Sequence, residues 1–217
     1  MKRYFLIFTL ILFSCSEGSD DSSNTGNGGS DNQTVNLFFS EYSEGMQGFN
    51  NKYVEIYNPS SSSVNLSNYQ IKGTNNGTDW GDNGERELAL TGAIAANSVY
   101  IICNDAADQA ILDKANLALP YESPVHFNGN DAIAIFGIDG SGNFSIIMDV
   151  IGNSTDPGTG NGWSVAGTEN ATMDHTLVRK SSISKGNTNW ENSAGTSASN
   201  SEWEVKDHND WTSLGTR

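Results

Sequence analysis

From Val35 onward, short runs of β-branched and aromatic residues alternate with clusters of Gly, Asn, Asp and Ser. This punctuation constrains the fold more than any other feature of the sequence. The runs are Val35–Tyr42, Tyr53–Tyr57, Val64–Lys72, Arg86–Leu90, Ser98–Cys103, Ala132–Ile138, Phe144–Ile151 and His175–Arg179, with a last one around Trp203–Val205. Separators such as TNNGTDWGDNGE and DGSGN supply residues that tolerate the backbone angles of tight turns. Strands this short and this closely spaced predict an all-β antiparallel sandwich or barrel. Only Ala106–Leu117 departs from the pattern. Its sequence AADQAILDKANL sets Ala107, Ala110, Ile111 and Leu117 at helical spacing and predicts one short helical insertion.

The stretch VEIYNPSSSSVNLSNYQI (54–71) shows how the strands connect. Val54 and Ile56 share one face of a strand, while Tyr53, Glu55 and Tyr57 share the other. Asn58-Pro59 ends that strand, because proline has no N–H to donate to a ladder. Ser60–Ser63 form the connection, and Val64, Leu66 and Tyr69–Ile71 resume the apolar pattern.

Composition agrees with a turn-rich β protein. Apolar residues make up 36% and charged residues 17%, and there are 23 glycines, which weaken helices and serve turns. The net charge is −15. Proteins hold nucleic acid chiefly by placing Lys and Arg against phosphates. No basic patch is present, so no nucleic-acid partner is expected.

The first residues, MKRYFLIFTLILFSC, place two basic residues before an apolar run from Tyr4 to Phe13. The run is shorter than the ~20 residues a membrane span requires and matches the core of a signal peptide. Leu12-Phe13-Ser14-Cys15 resembles a bacterial lipobox, with a bulkier Phe13 than the usual pattern has. The resemblance implies a signal peptide over 1–14, a lipidated Cys15 as the mature N-terminus, and attachment to the bacterial outer membrane. Several acyl chains anchor stably, since each buried CH₂ contributes about 0.8 kcal/mol. Removal of Lys2 and Arg3 takes two of the 11 basic residues and leaves nine against 26 acids, a net charge of −17. Ser16–Thr34 carries no apolar residue and reads as a disordered tether, so that 15–34 is the lipidated Cys and its leash. A coil of this length has an r.m.s. span of roughly 24 Å. Glu17, Asp20 and Asp21 resemble the acidic export signals of bacterial surface lipoproteins, which implies a domain facing the cell exterior. After lipidation only Cys103 remains; at the end of VYIIC it reads as a core residue.

Catalytic and metal signatures are absent. His126, His175 and His208 have no His or Cys neighbours at ligand spacing, HExxH is missing, and there is neither a G-x-S-x-G elbow nor a P-loop. Asp174-His175 opens a strand. Asp139–Asn143 starts like a calcium loop, but Phe144 and Val150 stand where an EF-hand needs Gly and Glu. Asp79–Glu85 has Gly84 at the sixth position but Leu90 at the twelfth. Both read as hairpin turns. No cofactor is expected, with calcium bound outside an EF-hand as the one alternative. Of five tryptophans, Trp203 and Trp211 are expected to close the core. Trp80 and Trp163 stand in Gly/Asp/Asn-rich loops, where an indole can pack or can stack on a sugar or a partner. They are the candidate ligand-binding residues.

Several segments are similar to the lamin tail domain family, in its bacterial branch. EIYNPSSSSVNLSNYQIK matches its opening strand–turn–strand motif. LALTGAIAANSVYIICNDA, HFNGNDAIAIFGIDG, MDVIGNSTDPGTGNGW, HTLVRKSSISKGNTNW and EWEVKDHNDWTSLG follow in the family's order. The resemblance covers Val35 to Arg217 and implies an immunoglobulin-like antiparallel β-sandwich over 35–217. The rod of the eukaryotic lamins has no counterpart here. In bacteria the domain often accompanies secreted nucleases and other surface enzymes, but no residues are left for a second catalytic domain. The sequence therefore points to a non-enzymatic cell-surface lipoprotein that binds or adheres to an extracellular protein, glycan or matrix partner. The alternatives are a carbohydrate-binding module or an accessory component of a secreted nuclease or hydrolase system.

Overall fold

Residue periodicity sets the layers. In a computed structural model, which describes residues 34–46, 50–81, 86–155 and 161–217, twelve strands and two short helices form in the order β1 Phe38–Ser43, β2 Tyr53–Tyr57, β3 Val64–Asn65, β4 Tyr69–Gly73, β5 Glu87–Ala89, β6 Ala93–Ile94, β7 Val99–Asn104, α1 Gln109–Leu112, β8 Leu117–Leu119, β9 Ile133–Ile138, β10 Phe144–Ile151, β11 Thr176–Arg179, α2 Trp190–Ala194 and β12 Trp203–Lys206. The expected signal segment, Cys15 and the tether up to residue 33 lie outside the described residues, as do 82–85 of the Asp79–Glu85 turn.

The strands form a six-stranded sheet (β12-β11-β1-β2-β7-β8), a four-stranded sheet (β10-β9-β4-β5) and a small β3-β6 pair. The two larger sheets face each other as an immunoglobulin-like all-β sandwich. Phe39, Tyr42, Val54 and Ile56 from one sheet meet Ile71, Ile133, Ile135 and Val150 from the other in a single interior cluster. All ladders are antiparallel except β7–β8, which is parallel.

Two departures from simple alternation have local causes. In NLFFSEY the register slips between Phe39 and Glu41 where β1 pairs with β2. This bulge lets Phe39 and Tyr42, three residues apart, both face the interior. The run Val64–Lys72 is interrupted by one 3-10 turn at Leu66–Asn68, because the Asn65 side chain accepts the Ser67 N–H. The helical insertion occupies only Gln109–Leu112 of Ala106–Leu117, and Leu117 instead starts β8. α2 is a second short helix, begun by an Asn189 side chain that accepts the Asn192 N–H.

The outer face of the six-stranded sheet is also covered. Tyr53, Ile101 and Cys103 pack against Ala107 and Ile111 near α1 and against Leu214, with Trp211 at the margin. β2 is therefore apolar-buried on one face through Val54 and Ile56 and on the other through Tyr53. Trp203 lies in the interior cluster, while Trp211 closes this outer one.

One buried ion pair links the two sheets. Arg179 on β11 donates Nη1 to Asp149 on β10 at 2.8 Å, and both side chains are fully buried. Asp149 also accepts the backbone N–H of Phe39 and of Asn187, each at 2.8 Å. Arg179 donates Nη2 to the Ser193 hydroxyl, and its guanidinium lies 4.3 Å from the centre of the Trp203 ring.

Candidate functional site: a tryptophan-lined groove

The loop tryptophans are brought to neighbouring cavities by separate devices. Trp80 follows β4, and the Gly81 N–H is tied back to the Gly73 carbonyl at 3.0 Å. Its ring meets Phe136 of β9 edge-on, with centroids 5.7 Å apart. Trp163 is fixed through Thr172: the Trp163 N–H donates to the Thr172 hydroxyl at 2.7 Å, and that hydroxyl donates to the Gly129 carbonyl at 2.6 Å. The Trp163 ring lies directly on Gly152, where a β-carbon would meet it at 2.5 Å. Only glycine admits this approach. Trp190, the first residue of α2, stands between them, 7% exposed, its ring 6.5 Å from Trp203.

A cavity of about 310 Å³ is lined by Trp80, Gly152, Asn153, Thr188, Trp190 and Glu191, among others. A second, of about 390 Å³, is lined by Trp163, Trp190, Glu191 and Gly195. A third, of about 550 Å³, is lined by Ile147, Met148, Lys185, Gly186 and Thr188. Trp190 and Glu191 belong to both the first and second cavities, and Ile147 and Thr188 to both the first and third. The three are compartments of one groove bordered throughout by the segment 182–196. The central compartment offers the part-buried Trp80 indole, backed by the buried Trp190, together with amide, hydroxyl and carboxylate groups, the combination that recognition of a ring-bearing polar ligand requires.

The sequence singled out Trp80 and Trp163, which reach adjacent compartments without lining the same one. It missed Trp190 and Glu191, which join them. The available signal was the Asn189 cap at the start of a short polar helix, too short to show periodicity.

The remaining candidates serve other roles. Asp139–Asn143 is the β9–β10 turn, and its carboxylate accepts the Ser141 and Asn143 N–H groups and the Ser145 hydroxyl. These bonds hold its pKa below the usual range. His126 Nδ1 is 2.9 Å from the Ser123 hydroxyl, and burial, with Arg86 and Lys52, holds it below the ordinary histidine value. His175 Nδ1 is 2.7 Å from the Met173 carbonyl. Cys103 is buried, its thiol pushed up to about 11 by burial and by Asp105. Among the described residues no group of three or more His, Cys, Asp or Glu is placed to hold a metal. No helix among them is long and apolar enough to cross a membrane.

A pair of buried carboxylates has the composition of an acid–base site but not its freedom. Glu41 and Glu55 face each other across β1 and β2 beside a cavity of about 250 Å³. Glu41 accepts from the Tyr53 hydroxyl at 2.5 Å and the Ser213 hydroxyl at 2.7 Å. Glu55 accepts from the Ser40 hydroxyl and the Gly215 N–H, both at 2.6 Å. All four oxygens are engaged: Oε1 of each bonds a hydroxyl of the sheet itself, and Oε2 of each fastens residues 213–215 to it.

The lamin tail domain family model matches residues 30–154. Among solved structures, a DUF4876 family protein from Bacteroides thetaiotaomicron is similar at 12% identity and a TM-score of 0.46, over 77% of this chain and 70% of that one. No curated protein matches the chain.

Proposed function

From the premise that the chain belongs to the lamin tail domain family, we propose that it is a non-enzymatic, lipid-anchored binding protein of the bacterial cell surface. The anchor is Cys15, the tether is the polar stretch up to Thr34, and the contact surface is the groove bordered by 182–196. The observation that carries this reading is the meeting of Trp80 and Trp163 with Trp190 and Glu191 along connected compartments. A fold alone assigns no function; this convergence is what supports reading the groove as the contact surface. The outer-membrane location rests on the lipobox-like Leu12–Cys15 and the acids that follow it.

The test uses intact cells displaying the full chain. Wild-type and Trp80→Ala/Trp163→Ala cells are compared for retention on immobilised extracellular polysaccharide and extracellular protein fractions. Surface amounts are matched by antibody, and lipid-probe labelling is compared with Cys15→Ala. Retention that falls at least about tenfold in the double variant supports the groove. Equal retention by both, on every fraction, overturns it.

A further inference from the structure

The groove has three features that narrow its ligand. Its compartments lie in series, so one elongated molecule can occupy all three, and the wall they share is segment 182–196 rather than a strand. Its aromatic content is concentrated in the two compartments that share Trp190. Its charge is mixed: Glu191 stands at the junction of two compartments and Lys185 lines the third, in a chain of net charge −15.

An extended peptide would most simply bind here by adding a strand to β10, the outermost strand of its sheet. That route is closed along Met148–Val150. The Val150 N–H donates to the Asn187 carbonyl at 3.3 Å, and the Asn187 N–H donates to the Asp149 carboxylate. Gly186 lies so close to the strand that a β-carbon there would collide with the Met148 carbonyl. Along this stretch the Val150 N–H is already used and Gly186 blocks the approach of another strand. The groove instead presents indole faces and short polar side chains, including Asn153 and Thr188. Flat apolar faces flanked by amides and hydroxyls match the C–H face and hydroxyl rim of a pyranose ring. A polyanionic chain would meet Glu191 and the field of the whole acidic protein.

We infer that the groove binds a linear, uncharged oligosaccharide, with one sugar ring on Trp80 in the central compartment, one on Trp163 in the second, and further rings continuing into the compartment beside Gly186. This rests on the preceding reading of the groove as the binding surface and names its ligand class.

The full chain is titrated, with tryptophan fluorescence and calorimetry as readouts. The ligands are cello-, xylo- and N-acetylchito-oligosaccharides of two to six rings, together with heparin and alginate fragments. The expected result is binding of at least one neutral series, with affinity rising with ring number and levelling off once the compartments are filled. Thr188→Arg adds bulk at an exposed position shared by two compartments and leaves the core untouched. It is expected to weaken the longest oligosaccharides by at least about tenfold without shifting the thermal midpoint, and Trp80→Phe is expected to retain partial binding. Failure of all neutral series, binding restricted to heparin or alginate, affinity independent of length, or an unaffected Thr188→Arg each overturns the assignment. If the neutral sugars fail while Trp80→Ala/Trp163→Ala cells still lose retention on a protein fraction, the groove stands and its ligand is not a glycan. If neither measurement responds, both readings fall.

Discussion

At the scale of single residues, the turn after β2 shows how one side chain can hold a connection that looks like low-complexity sequence. Asn58 is fully buried. Its Nδ2 donates to the carbonyls of Ser62, Ile94 and Ala95, and its Oδ1 accepts from the Ser60 N–H and hydroxyl. Ser61 and Ser62 are exposed. Asn58→Ala leaves buried carbonyls without donors and is expected to cost about 3 kcal/mol, whereas Ser61→Gly with Ser62→Asn is expected to stay within about 0.5 kcal/mol. Urea denaturation of the two variants checks this; similar losses would show that the serines themselves are packed. The asparagine before the four serines organises the turn.

At the scale of elements, the same contrast decides what could be read in advance. Runs with strong β character, such as YVEIY and FSIIMDVI, became β2 and β10 with the expected bounds. β6 and β8 were not legible: Ala93–Ile94 and Leu117–Leu119 pair only because β3 and β7 are brought beside them. The helical spacing of Ala106–Leu117 was cut short because Leu117 joined β7 in a parallel ladder. That Trp80 and Trp163 stand in loops was legible from composition, but their joining through Trp190 depends on α2 docking beside Trp203, a tertiary fact. The inter-sheet link between β10 and β11 was likewise invisible, since Asp149 and Arg179 sit in separate, ordinary-looking strands. Arg179→Met leaves the Asp149 carboxylate buried without its partner and is expected to destabilise by about 3–5 kcal/mol. Adding Asp149→Leu is expected to recover part of that loss, as chemical denaturation of single and double variants would reveal. No recovery would mean that the uncompensated Asp149 charge is not the source of the loss, and that the hydrogen bonds of Asp149 to the Phe39 and Asn187 N–H groups outweigh it.

At the scale of the whole molecule, the carboxylates under residues 211–217 make stability depend on pH. Burial pushes Glu41 up to about 7, reinforced by Glu55 and opposed by the Tyr53 and Ser213 hydrogen bonds. Burial raises Glu55 as well, and also Glu44, which is held elsewhere by Lys52 and the Asp174 N–H. A carboxyl whose folded pKa lies above its unfolded value stabilises fully below about pH 4.5, and that stability is lost as pH rises through about 7. Glu41→Gln removes the titration. Relative to wild type it is expected to be more stable at pH 8 than at pH 5 by about 2–3 kcal/mol, measured by denaturant titration at both pH values. A difference independent of pH would show that Glu41 is ionised throughout.

The pairing of distant segments has a kinetic consequence. The first strand is completed by partners far along the chain: Ser43 bonds Thr176 at a separation of 133 residues, and Glu41 bonds Ser213 at 172. Loops of that size must close before their contacts stabilise anything, which places the domain among slow-folding topologies. While the later residues are still being made, β1 has no lasting partner on its β11 side, and the nascent polypeptide stays pliable.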